Sequence, residues 1–224
     1  MIAMRAVVFA GCLGALLLLG APVAAVSSAG DACGSLSRTV GAQSVDLAPP
    51  PGFVEICSQD AALCQRLTAN YPRSVTTLGY FVPSAEWAAH AQAPTAPFSR
   101  YLIAQVVPGK TAKQLPEVKS FIRSQQQDPT APDKLAEALR GAGQAQLGIF
   151  DESADSISFG AVARQPTPGP GGAGILAMTN SAIAVEGEML SLYVYSRLTD
   201  PAGVAGVEAL AKRWLQCLRS ANHP

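Results

Sequence analysis

Histidine is scarce in this chain, with only His90 and His223 among 224 residues. That excludes a multi-histidine metal centre within one chain, because zinc and similar metals are held by several imidazoles or thiolates. All-oxygen calcium sites remain open. The same scarcity leaves few bases for a serine or cysteine nucleophile, and no Gly-x-Ser-x-Gly elbow is present to present one. Charge is scarce as well: 14% of residues are charged, with 16 Lys plus Arg balancing 16 Asp plus Glu. Such a balance lacks the clustered cations that neutralise a row of phosphates, so nucleic acid is not an expected ligand. What is plentiful is apolar, at 49% of residues. That is enough to bury the core of one ordinary domain and too much for a disordered chain.

The first residues carry a compartment signal. Arg5 is followed by an apolar run from Ala6 to Leu19, broken by Gly20 and Pro22 before small residues. This is the layout of a secretory signal peptide over residues 1–25, with Val23 and Ala25 suiting cleavage and Ser27 with Ala29 offering a later site at 29. An uncleaved anchor is the competing reading, but the Gly and Pro breaks and the lack of a following charge disfavour it. Phe9-Ala10-Gly11-Cys12 only approximates a lipidation box. The expectation is a periplasmic or secreted protein with no stable membrane span after cleavage.

Removing that segment leaves Cys33, Cys57, Cys64 and Cys217. An even number in an exported chain reads as disulfides, and zinc spacing of the Cys-x2-4-Cys type is absent. Three pairings are open. In one continuous helix, Cys57 and Cys64 would sit about 10 Å apart, beyond the reach of a bridge, so they pair only if the chain turns between them. The preferred arrangement is Cys57 with Cys64 and Cys33 with Cys217, the latter tying the N-terminal segment to the last helix.

Residues 26–43 are small and polar and read as a flexible lead-in, closed by Pro49-Pro50-Pro51-Gly52. One domain is expected over 44–219, with a tail at 220–224. Ser58 is placed as the cap of a short helix through Thr68, with Asp60 in its first turn. Ser74 to Val82 and Arg100 to Val107 read as strands, the second apolar on both faces and therefore central. Pro108-Gly109-Lys110 reads as a turn. Pro116, Val118, Phe121 and Ile122 start a helix, and Thr130 with Asp133 caps another carrying Leu135, Ala138 and Leu139. The period then changes to two, giving strands at Ala145 to Phe150, Ser156 to Arg164, Ile175 to Val185 and Met189 to Leu198. Glu186-Gly187-Glu188 joins the last pair as a hairpin. Asp200 and Pro201 open a final helix whose Val204, Val207, Leu210, Ala211, Trp214, Leu215 and Leu218 share one face and must pack on a sheet.

The fold class that follows is α+β: a single domain with a mostly antiparallel sheet packed by helices and ending in a long amphipathic helix. The hairpin and helix from Met189 to Leu218 resemble, in element order, the C-terminal end of PsbP-like α-β-α sandwiches, a superfamily of exported accessory proteins. Pro49 to Phe53 likewise resembles bacterial exported proteins of unknown function. These likenesses imply a fold and a compartment and carry over no functional residue.

The motifs that suggest chemistry do not complete their context. Gly169-Pro170-Gly171-Gly172-Ala173-Gly174 satisfies the dinucleotide pattern in spacing, but prolines precede it and a β-like run follows where a helix is needed. Gly109-Lys110-Thr111 lacks the upstream glycine of a phosphate loop. No cofactor is therefore expected. Asp151, Glu152 and Asp155 lack calcium-loop spacing and read as a charged turn. Lys110, Lys113, Lys119 and Arg123 read as the solvated face of a helix. No catalytic residue and no metal ligand is assigned. Tyr80, Phe81, Trp87, Phe98 and Tyr101 gather around a loop containing Pro94 and Pro97, and Tyr80, Trp87, His90 and Tyr101 are the candidate ligand- or partner-binding residues. The expectation is a non-catalytic envelope module for a protein partner or a small apolar or glycan ligand. An exported hydrolase using scattered carboxylates or a Ser/His90 pair is the alternative.

Overall fold

Alternation along the strands decides the architecture, because successive side chains point to opposite faces of a sheet. The computed structural model describes residues 32–126, 128–130, 135, 137, 140, 143–165 and 174–222. A hairpin comes first, β1 (Ser37–Val40) and β2 (Gln43–Asp46). The main sheet has seven strands: β3 (Phe53–Glu55), β4 (Thr76–Pro83), β5 (Arg100–Thr111), β6 (Gln144–Glu152), β7 (Ser156–Gln165), β8 (Gly174–Val185) and β9 (Glu188–Leu198). Their order is β3-β4-β5-β9-β8-β7-β6, every pair antiparallel. Among the described residues, four continuous helices join them: α1 (Ala61–Thr68), α2 (Ser84–His90), α3 (Leu115–Gln125) and α4 (Val204–Asn222). The α+β class and its single domain are thus observed, and β5 does lie inside the sheet. The segment 1–31, most of the Thr130 to Leu139 helix, the glycine motif up to Ala173, and His223 lie outside the described residues.

On one face, α4 covers the sheet. Leu102, Ala104 and Val106 of β5, Leu190, Leu192 and Val194 of β9, and Ile183 and Val185 of β8 meet Val207, Ala211, Trp214, Leu215 and Leu218. The Trp214 ring packs edge-on against Phe81 at 5.8 Å, and its indole N–H donates to the Leu47 carbonyl at 2.9 Å. Asp200 caps the entry to α4 by accepting from the Ala202 N–H. Among the described residues, no helix is long and apolar enough to cross a membrane.

Several boundaries differ from the sequence reading, each for a long-range reason. The 26–43 lead-in contains β1, held by the Cys33–Cys217 bridge, by Arg38 Nε donating to the Leu78 carbonyl, and by Asp46 accepting from the Leu36 N–H. The 220–224 tail begins inside α4: the Asn222 amide accepts from Asp46 N and donates to Asp46 O, latching the helix to β2. Asp60, not Ser58, caps α1 by accepting from Leu63 N, while Ser58 donates to Glu55. Pro108-Gly109-Lys110 is no turn. It lies in β5, where the register shifts between Val106 and Thr111 and Gly109 takes a φ of 81°. Lys119 is buried rather than solvated, its ammonium donating to the carbonyls of Ser153 and Ala154.

Candidate functional site

The opposite face of the sheet is covered, among the described residues, at its ends. Towards the β3 edge, α1 with Leu63 and Leu67 and the chain around Phe98 pack on Tyr80, Val82 and Ile103. Towards the β7 side, α3 packs Leu115 and Ile122 on Ile157 and Ala182. Between them, β8 and β9 present a half-buried lane.

That lane is aromatic. Tyr193 and Tyr195 alternate with core-facing Leu192 and Val194, so both stand on the open face with exposed Arg197 beyond them. Tyr101 is the cross-strand partner of Tyr195. The antiparallel register brings the rings into a stack: Tyr80 to Tyr101 at 5.4 Å, Tyr101 to Tyr195 at 4.7 Å, and Tyr193 to Tyr195 at 6.3 Å, all within 19° of parallel. Tyr71 packs against the same cluster. All five tyrosines of the chain therefore meet in one place. Offset rings at these separations attract one another beyond the area they bury.

Burial pushes the Tyr71 phenol up to about 12, with the phenols of Tyr101 and Tyr193 adding to the effect. Burial likewise raises Tyr80, Tyr101 and Tyr195, and the Arg197 charge opposes it at Tyr80 and Tyr101. Removing a charged phenolate from water is the dominant cost, so the hydroxyls stay neutral donors and acceptors across the physiological range. Around them, Gln105 pairs with Ser191, and Tyr193 with Asn180, across the strands of the same face. The surface is rich in neutral hydrogen-bonding groups, with Arg197 the charged residue at its edge.

The sequence candidates divide into two neighbouring stacks. Tyr80 and Tyr101 join the tyrosine row. Trp87 and His90 form a second stack from α2, with rings 5.4 Å apart, and His90 lies 5.3 Å from Phe98. The Trp87 indole N–H donates to Gln59 Oε1 at 2.9 Å, an anchor that holds α2 to the turn before α1. Tyr80, Tyr101 and His90 border one hollow of about 330 Å³ with Tyr71, Phe98 and Arg197. Sequence reasoning missed Tyr193, Tyr195 and Arg197. Their i, i+2, i+4 spacing on a strand was a visible sign that they share a face, but their meeting with Tyr101 needed the register.

The cysteines pair as preferred, Cys57 with Cys64 and Cys33 with Cys217. Cys57 precedes α1 in a turn, which brings the Cα atoms to 4.9 Å. Two of the acidic residues are engaged in ion pairs: Arg219 forks onto Asp155 with both contacts at 2.9 Å, and Arg123 meets Glu152. Partial burial acts to raise the Asp155 pKa. Its bonds from Arg219 and Ser153 together with the Arg219 charge outweigh that and hold the carboxyl below its ordinary 3.8. Among the described residues, no group of three His, Cys, Asp or Glu is placed to hold a metal ion.

No protein-family model and no curated protein matches the chain. Among solved structures it is similar to the Ran-binding protein Mog1p of Saccharomyces cerevisiae. That likeness has a TM-score of 0.38 at 11% identity and covers 84% of this chain and 94% of that one. A point mutant of Mog1 gives the same figures.

Proposed function

We propose that this chain is an exported, non-catalytic binding module whose open sheet face is the recognition surface. The observation that carries the reading is the convergence of all five tyrosines between α1 and α3, Tyr80 buried and the other four partly buried, into one cluster whose Tyr80, Tyr101, Tyr195 and Tyr193 rings stack in a row. Aromatic rings with polar edges are the side chains most suited to recognition, because they combine large contact area with few rotatable bonds. Two disulfides support an oxidising compartment, periplasmic or extracellular, in agreement with the signal-like segment at residues 1–25.

Hydrolysis is the competing reading, and one observation favours it: Glu86, His90 and Ser99 border a small hollow of about 170 Å³. Their bonding argues against a nucleophile and base. Ser99 Oγ donates to Glu86 rather than to an imidazole, and His90 is stacked against Trp87 and Phe98. A serine nucleophile needs a base within hydrogen-bond reach.

The deciding experiment places a photo-crosslinking amino acid at Tyr193 in the native envelope, with the same group at exposed Glu186 as control. The binding reading expects specific capture at 193 alone. Equal capture at both positions, or activity on ester or glycosidic probes that His90→Ala abolishes in a folded protein, would replace it.

A further inference from the structure

The tyrosine row ends beside a second, larger hollow on the same face, about 530 Å³, which is within the range of ligand sites. One side of the Tyr195 ring is covered by Tyr101, and Tyr195 also borders this hollow. Ala161, Ala163, Leu176 and Met178 lie along it, all on the open face of β7 and β8. Exposed Gln144 and Gln146 border it from β6. The surface thus has an apolar bed, an aromatic wall and a rim of hydrogen-bonding groups that are neutral except for Asp128.

Resting on the binding-module reading, we infer that this hollow holds a sugar ring of a neutral glycan chain, with the tyrosine row carrying the chain onward. A pyranose has two unlike parts, an apolar face of C–H bonds and a rim of hydroxyls. The bed and the Tyr195 wall match the first, and the amides of Gln144 and Gln146 with the neutral phenol of Tyr195 match the second. Competing ligand classes fit less well. A fatty chain gains most from full enclosure in apolar surface, and this hollow has a polar rim. An anion would find one cation nearby, Arg197 opposite Leu176, against Asp128 at the rim, and no lysine or arginine among the described lining residues. The hollow of about 330 Å³ at the other end of the row also borders Tyr101, so two recesses flank the Tyr101–Tyr195 pair. That layout suits a ligand longer than one ring.

The test is calorimetric titration of the disulfide-intact protein with cellohexaose, maltohexaose and chitohexaose. A heparin-derived hexasaccharide, tetramethylammonium and myristate serve as contrasting probes. At least one neutral hexasaccharide should bind with an affinity that salt changes little, since no ion pair forms. Tyr195→Ala should weaken it about tenfold, equivalent to about 1.4 kcal/mol. Tyr195→Phe keeps the ring and the fold and should weaken it about threefold, and Leu176→Arg, which fills the bed, should abolish it. Binding of only a charged or fatty probe overturns the inference, as does glycan binding indifferent to both Tyr195→Ala and Leu176→Arg. If no hexasaccharide binds while Tyr193 still captures a protein by photo-crosslinking, the glycan assignment fails and the binding-module reading stands. If neither occurs, both fail.

Discussion

The two faces of the sheet are built from the same strands and are treated in opposite ways. On the closed face, alternate residues of β5, β8 and β9 are mainly aliphatic, with Thr179 and Ser181 of β8 and Ser196 of β9 buried among them, and the 19-residue α4 covers them, with Trp214 as the largest fully buried side chain. On the open face, the intervening residues of β8 and β9 include Tyr193, Tyr195, Ser191, Asn180, Met178 and Leu176, half-buried, with exposed Arg197 beside them. Each face also has its own disulfide. Cys33–Cys217 spans 184 residues and binds α4 to the lead-in, whereas Cys57–Cys64 spans 7 and holds the start of α1 beside the tyrosines. On the proposed binding reading, the difference gives stability to one surface and recognition to the other, an allocation a strand achieves simply by alternating.

If that division is right, the largest losses come from the closed face. Replacing Cys33 and Cys217 together by serine should cost about 5 kcal/mol in the chain-entropy view, read by urea denaturation, because so long a loop is freed. Trp214→Ala should cost about 4 kcal/mol, combining a cavity with an unpaired Leu47 carbonyl. Serine at Cys57 and Cys64 should cost less, about 2 to 3 kcal/mol, since the loop is short. An equal or greater loss there would break the comparison.

Smaller effects sharpen it. Asp155 has a lowered pKa, so its contribution is complete well above 3.8 and is lost as the pH falls through its folded value. Thermal scans from neutral to acid should show that loss, and Arg219→Met should reduce it. The change should stay under about 1 kcal/mol because solvent screens the pair. Smallest of all, Tyr195→Phe should alter stability by no more than about 0.5 kcal/mol while weakening ligand binding. A large stability loss would make the tyrosine row a second core.

Much of the closed face was legible in the chain. The stripe from Val204 to Leu218 and the Glu186-Gly187 hairpin follow from period and turn chemistry, whereas cysteine number indicates two bridges and leaves three pairings open, with Cys33–Cys217 in the preferred one. Glu186 and Gly187 indeed take φ of 49° and 80°, as a two-residue hairpin turn requires. The rest depended on partners distant in sequence. β1 looks unstructured because its order comes from Cys217, Leu78 and the β2 residues it pairs with. Lys119 looks solvated because the carbonyls that accept its ammonium lie 34 and 35 residues away. Tyr80 and Tyr101 were found by local crowding, and Tyr193 and Tyr195 were not, because the crowd they join is assembled across strands.

The Cys33–Cys217 bridge also determines how the molecule carries load. A pull applied between residues just before Cys33 and just after Cys217 passes from one to the other through a single covalent link, and the sheet between them bears none of it. Such a domain, strung between two attachments, behaves as an inextensible knot: its strands keep their register under tension, and the open face keeps its shape. Reduction would turn the same 184-residue interval into slack that force could unravel strand by strand.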